Sequence, residues 1–186
     1  DGTPLDVYWQ TLLDLKREGK VRAVGLSNHN LAQLQDAEAL GHVESLQPPF
    51  SAIQRGAAND LIPWCAQNGT GVIVYSPMQS GLLSGGFSVE RAQALPADDW
   101  RSRNAEFQAP NLARNLALAE ALKPIAERHG TTQAAVAIAW TLAWPGVTGA
   151  IVGMRNTAQV DGVLGAAELE LDGDDMARIA DAIELT

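Results

Sequence analysis

The chain has 186 residues, 46% of them hydrophobic and 19% charged, and a net charge of −9. This is the composition of a soluble globular domain with a real core; it argues against a nucleic-acid or anionic-membrane surface, and no run approaches the roughly 18 apolar residues of a membrane helix. The single cysteine, Cys65, allows no disulfide within the chain and points to a reducing, cytoplasmic compartment.

Asp1-Gly2-Thr3-Pro4 is no signal peptide and reads as a chain cut in a turn. Thr3-Pro4-Leu5-Asp6 starts a helix, with threonine as cap and proline at the first helical position. Leu5, Tyr8, Trp9, Leu12 and Leu13 give that helix one buried face, Lys16 and Arg17 suit its last turn, and Gly19 its end. A strand is expected over residues 21–26, followed by Ser27-Asn28-His29-Asn30 and a helix carrying Leu31, Leu34 and Leu40 up to Gly41. Residues 44–47 read as a short strand stopped by Pro48-Pro49. Asn59-Asp60 cap a helix containing Trp64 and Cys65, which Gly69 ends. On that apolar face Cys65 is a core thiol and not a nucleophile.

The most informative stretch is residues 72–85, VIVYSPMQSGLLSG, an apolar β-branched strand that runs straight into a glycine-containing loop. Residues 76–110 have no clear periodicity, which marks a lid or binding loop. Helices are expected over 111–129 and 132–143, separated by Gly130, then a last strand over 147–152 and a helix over about 157–166. A final amphipathic helix over 173–184 places Met176, Ile179, Ala180 and Ile183 on one face. The alternation of strand and helix means a parallel α/β sheet. Four strands cannot close a barrel of eight, so they form a small open sheet or half of a barrel.

Each strand ends in polar or turn-forming residues: Ser27 and Asn28, Gln47, Tyr75 and Ser76, then Gly153, Met154 and Arg155. In α/β folds ligands bind at these carboxyl ends. A tyrosine there can stack on a planar cofactor ring, and side-chain amides can hold a carboxamide. Each feature also has a plainer reading: Tyr75 as a packing aromatic, Ser27-Asn28 as the cap of the next helix, and Arg155 as a surface arginine at a helix start. Gly153-Met154-Arg155-Asn156-Thr157 leads into a helix and fits a phosphate site.

Taken in order, these segments resemble the aldo-keto reductase family. GKVRAVGLSN (19–28) is similar to the entry into that family's fifth barrel strand, SLQPPF (45–50) to its sixth, and VYSPMQSGLLSG (74–85) to its seventh with the cofactor loop. AWTLAWPGVT (139–148) and IVGMR (151–155) resemble the approach to the eighth, and DWRSRN (99–104) the long loop of the bacterial and channel-β-subunit-like branch. The resemblance covers essentially all 186 residues. It implies that this chain supplies the second half of a (β/α)8 TIM-type barrel.

The resemblance further implies binding of NADPH, preferred over NAD, and reduction of a small-molecule aldehyde or ketone by hydride transfer. By it Ser27, Asn28 and Gln47 hold the nicotinamide carboxamide and Tyr75 stacks on the ring. Ser76, Pro77, Gly81 and Leu82 line the pyrophosphate path. Gly153, Met154, Arg155 and Gln159 bind the adenosine end, with Arg155 on the 2′-phosphate, and His29 lies near enough to the rim to touch substrate. One helical turn past Gln159 the family carries an acidic residue and an asparagine, where this chain has Gly162 and Val163, with Asp161 one place early. The family's catalytic aspartate, tyrosine, lysine and histidine would all precede Asp1, and Tyr8, Lys16, Lys20 and His29 do not replace them. His42 and His129, beside helix-ending glycines, are structural or solvated. The alternative reading is a noncatalytic nicotinamide-nucleotide-binding or interaction module. A half barrel exposes two sheet edges, so a missing N-terminal half or a second copy is expected to complete it.

Overall fold

The computed structural model describes residues 2–185; Asp1, which opens the expected turn, lies outside them. The chain runs α1 (Leu5–Arg17), β1 (Gly25–Ser27), α2 (Leu31–Leu40), β2 (Ser45–Gln47), α3 (Leu61–Asn68), β3 (Gly71–Tyr75), α4 (Val89–Gln93), α5 (Asn111–Ala121), α6 (Lys123–Arg128), α7 (Gln133–Leu142), β4 (Gly149–Ile151), α8 (Thr157–Leu164) and α9 (Gly173–Leu185). The strands form one parallel sheet in the order β1-β2-β3-β4. The expected α/β fold with parallel pairing is therefore what forms.

Register sets the two faces. Leu26 pairs with Leu46, Leu46 with Val72, and Val74 with Ala150. Leu46, Val72 and Val74 are fully buried and Leu26 nearly so. Together with Trp9, Leu34, Cys65, Leu122, Trp140 and Ile179 from the helices they make one continuous core. Side chains alternate along a strand, so Ser27, Ser45, Gln47, Ile73, Tyr75 and Ile151 point to the other face. There Ile73 is 40% and Ile151 44% exposed. Helices cover one side of the sheet and leave the other open. Gly25 belongs to the open side, and a Cβ there would lie 2.4 Å from the Ser45 carbonyl oxygen, so the close approach of β1 to β2 requires glycine.

Several expected boundaries shift for local reasons. Pro4, not Thr3, is the N-cap of α1, one residue later than expected. The first strand is confined to Gly25–Ser27 because the Val24 N–H donates to the Glu44 carboxylate at 2.7 Å instead of to a strand partner. Glu44 also pairs with Lys16, which first of all holds its carboxyl below the usual range. The helix expected over 111–129 breaks at Leu122, since Pro124 lacks an N–H and its ring opposes the carbonyl four residues back. The helix expected to reach residue 166 ends at Leu164 and passes into a 3-10 turn over Gly165–Ala167. The last strand loses its ends: Thr148 already bonds Val72 O through both N–H (2.8 Å) and hydroxyl (2.7 Å), and the ladder proper starts at Gly149.

On α9, Ala180 is exposed and Ala182 joins Met176, Ile179 and Ile183 on the core side. Asp175 is fully buried there. Burial pushes its carboxyl up, but contacts from His129 Nε2 (2.8 Å), Arg128 and the Asp172 N–H outweigh this and hold it below the usual range. His129 is thus a structural residue that docks the last helix.

The asymmetry of the two faces is testable by urea unfolding of this chain. Leu46→Ala should lower the unfolding free energy by about 2–5 kcal/mol, whereas Ile73→Ala, on the open face, should cost no more than about 1 kcal/mol.

Candidate functional site

The carboxyl ends of the four strands come out at one rim, and a cavity of about 970 Å³ opens there. It begins at Tyr75, follows Ser76, Pro77, Met78, Ser80, Gly81 and Ser84, and reaches Gly153, Met154, Arg155 and Gln159 between β4 and α8. Its outer wall is the segment after α4, with Asp98, Asp99, Trp100 and Arg101, and Arg91 of α4 itself. The volume lies near the upper end for small-molecule sites and suits an elongated ligand.

The loop after β3 is bent by backbone more than by side chains. Ser76, Gln79 and Ser80 all have left-handed φ, at 57°, 45° and 52°, and Gly81 follows at 102°. Non-glycine residues hold such angles only where the surroundings over-determine them, typically at ligand sites. Successive turns of this kind form concavities that favour anions. Beneath the loop Leu82 is fully buried and packs with Phe87, Phe107 and Leu112 in a small core of its own. The sequence expectation that Leu82 lines the ligand path is corrected here: its side chain anchors the loop, and Ser80, Gly81 and Ser84 border the cavity. The stretch 76–110 is accordingly not a bare loop; it contains α4 and short 3-10 turns at Gln79–Ser84, Trp100–Arg103 and Ala105–Phe107.

The other expected residues gather beside Tyr75. Its hydroxyl donates to Asn28 Oδ1 at 2.8 Å, spanning from β3 to β1, and Ser27 Oγ donates to the Gln47 carbonyl at 2.9 Å. Asn28 sits at φ 60°. Ser27, Asn28 and Gln47 therefore neighbour Tyr75 at the rim, next to the cavity and not in its wall. The cap of α2 is Asn30, which forms a reciprocal pair with Gln33, so Ser27 and Asn28 are free of the capping role. His29 uses both ring nitrogens: Nδ1 meets the Ser27 carbonyl at 2.9 Å and Nε2 the Tyr8 hydroxyl at 2.5 Å. A carbonyl only accepts, so Nδ1 carries the proton, and in the neutral ring Nε2 accepts from Tyr8. Lys16 is tied to Glu44 and Lys20 to Glu18. Cys65 is buried, and burial pushes its thiol up to about 11, as befits a core residue.

At the far end Asn156 caps α8, and the Gln159 side chain turns back to accept from the Arg155 N–H at 2.8 Å. Arg155 itself is exposed and lines the cavity, with no ion-pair partner among the described residues. Reading for strand ends singles out no residue of this outer wall, which lies within the binding loop expected over 76–110. Its signal was the Asp99-Trp100-Arg101 triplet, in which a carboxylate and a guanidinium flank a tryptophan. Arg101 forks onto Asp99 through Nε (3.0 Å) and Nη2 (2.6 Å), and the Arg101 N–H adds a third bond. That fork, then the N–H, and in addition the charge of Arg155 bring the Asp99 carboxyl down to about 2. Three arginines, Arg91, Arg101 and Arg155, and two aspartates line the cavity, a positive balance in a chain of net charge −9.

Comparison with known proteins places this geometry. The family model for the aldo/keto reductase family matches residues 2–184. The chain is 29% identical over 185 residues to the NADH-specific methylglyoxal reductase of Escherichia coli (strain K12), covering 98% of this chain and 56% of that protein. It is 26% identical over 184 residues to the aldo-keto reductase YhdN of Bacillus subtilis (strain 168), covering 98% and 55%. The solved glycerol dehydrogenase of Gluconobacter oxydans superposes with a TM-score of 0.90 at 30% identity, covering all of this chain and 56% of that one. The chain thus spans about half the length of the relatives it matches.

A depressed Asp99 pKa means the Asp99–Arg101 contact stabilises the fold above the usual carboxylate range and is lost only as pH falls toward 2. Carboxyl-carbon NMR should show Asp99 titrating near 2, and Arg101→Gln should return it toward about 3.9. A midpoint near 3.9 in the parent chain would mean the fork does not form.

Proposed function

Because the chain belongs to the aldo/keto reductase family, we propose that it forms the dinucleotide cradle of an NAD(P)H-dependent oxidoreductase that reduces small aldehydes or ketones. One observation carries this reading: a single cavity joins the Tyr75 ring at the end of β3 to the free Arg155 at the start of α8. Its size, its strained anion-favouring loop and its arginines fit a dinucleotide with a flat ring at one end and phosphates beyond.

In this reading Tyr75 is the surface on which the nicotinamide lies. Its bond to Asn28 fixes the ring, and the Asn28 amide N–H groups, with Gln47 beside them, meet the carboxamide. The loop 76–84 and the α8 N-terminus with Gly153 take the phosphates. Met154, Arg155 and Gln159 hold the adenosine end. A bound reduced nicotinamide would supply hydride to the carbonyl carbon. The proton for the oxygen comes from outside these residues, since Tyr8, Lys16 and Lys20 are each engaged in local contacts away from the cavity.

NADPH is the proposed form of the cofactor, supported by the unpaired Arg155. The Escherichia coli relative is named as NADH-specific, so the preference proposed for this chain rests on Arg155 alone. The methylglyoxal reductase and glycerol dehydrogenase activities named for two of the similar proteins support a small, polar carbonyl or alcohol as substrate. The open sheet face and the unpaired outer edges of β1 and β4 support completion by a further segment or by a second copy. The buried, unpaired Cys65 supports a reducing, cytoplasmic compartment; no described helix is long and apolar enough to cross a membrane.

Calorimetric titration of this chain with NADPH and NADH tests the reading. Both should bind, NADPH more tightly, and Arg155→Ala should weaken NADPH by about tenfold or more while leaving NADH within about threefold. Failure of both nucleotides to bind would overturn the cradle. Reduction of methylglyoxal by these residues alone would overturn the assignment of proton donation to groups outside them.

A further inference from the structure

Trp100 and Met154 are both large, apolar and exposed, at 53% and 42%, yet they are not scattered surface residues: each borders the dinucleotide cavity. Trp100 is not loose either. Its ring stands edge-on to Phe107 at 5.8 Å and 79°, and Phe107 is buried in the small core of the lid. A rigidly supported indole that remains half bare on a cavity wall is a surface awaiting a flat partner.

The facing helix says what kind of recognition is available. From α8 the cavity receives Ala158, Gly162 and Val163, none of which has a side-chain donor or acceptor. Gln159 is the polar exception; its Oε1 accepts from the Arg155 N–H, so its amide N–H groups are the side-chain donors that this stretch of α8 offers the cavity. Little else is left on this wall to read the hydrogen-bonding edge of a base. Charge lies close to Trp100 on both sides. Arg101 is its neighbour in sequence and is held by Asp99, whose carboxyl also feels Arg155.

We propose that Trp100 is the stacking platform for the purine of the bound dinucleotide, so that this chain grips the base by its face and not by its edge. This rests on the cradle reading above. The lid then contributes affinity at the adenosine end, where Trp100 takes the ring and Arg101 the neighbouring phosphate. Face recognition is tolerant, because every purine has the same kind of π surface.

The test uses the intact chain with NADH, 5′-ADP, reduced nicotinamide mononucleotide and nicotinamide hypoxanthine dinucleotide (reduced). Trp100→Ala should weaken NADH and 5′-ADP about tenfold and leave the mononucleotide unchanged. Trp100→Phe should restore most of the loss and abolish the quenching of tryptophan emission by 5′-ADP. The hypoxanthine dinucleotide should bind the parent chain within about threefold of NADH. Unchanged 5′-ADP affinity in Trp100→Ala, or a hypoxanthine analogue more than about tenfold weaker, would overturn the stacking role alone, provided the parent binds NADH. Failure of the parent to bind NADH and 5′-ADP would remove the cradle reading and this one together.

Discussion

Parallel pairing of four consecutive strands is the constraint on which everything else here depends. Each strand must be followed by a helical return, so the helices collect on one side and the carboxyl ends on one rim. The register of Leu46 against Leu26 and Val72 turns one set of side chains into the helix-packed core. By the same two-residue period the opposite set, from Ser27 to Gln47 to Tyr75, faces outward and meets at the rim. Core and site are thus the two faces of one sheet, and a slip of one residue would exchange them.

The outer wall of the cavity belongs to the segment 76–110, whose apolar side chains pack with one another and with Leu112 of α5. Leu82, Phe87, Phe107 and Leu112 form its core, and the Phe87–Phe107 contact at 5.3 Å is its centre. With that support the backbone holds left-handed turns at Ser76, Gln79 and Ser80 that an unsupported loop would relax. The cost of those angles is offset by burial below them, with Leu82 turned inward beside a half-buried Gly81.

Electrostatics follow the same division. The chain is strongly acidic, and most of its cations are spent on local pairs such as Lys16–Glu44, Arg17–Asp14 and Arg128–Asp175. Around the cavity this changes. Arg155 is left without a carboxylate ion-pair partner among the described residues, and Arg101 is held in a fork that keeps it at the wall. A ligand with clustered negative charge finds there the opposite of the mean surface, at positions set by a helix start and a lid turn.

By itself the sequence determined the order and type of the elements, the resemblance to a family and the strand-end residues of the rim. It could do so because β-branched runs, 3.6-residue apolar spacing, caps and glycine stops are local signals. Helix ends at Gly41 and Gly69 and the buried thiol of Cys65 followed from them. The tertiary structure alone decided the rest. It placed Leu82 under the lid, broke the long helix at Leu122, took Val24 N–H out of the ladder through Glu44, and engaged His29 with Tyr8. It also brought Asp99, Trp100 and Arg101 to face Arg155, from more than fifty residues away along the chain. These are matters of which surface meets which, fixed by packing between distant segments, and no local pattern of residues encodes them.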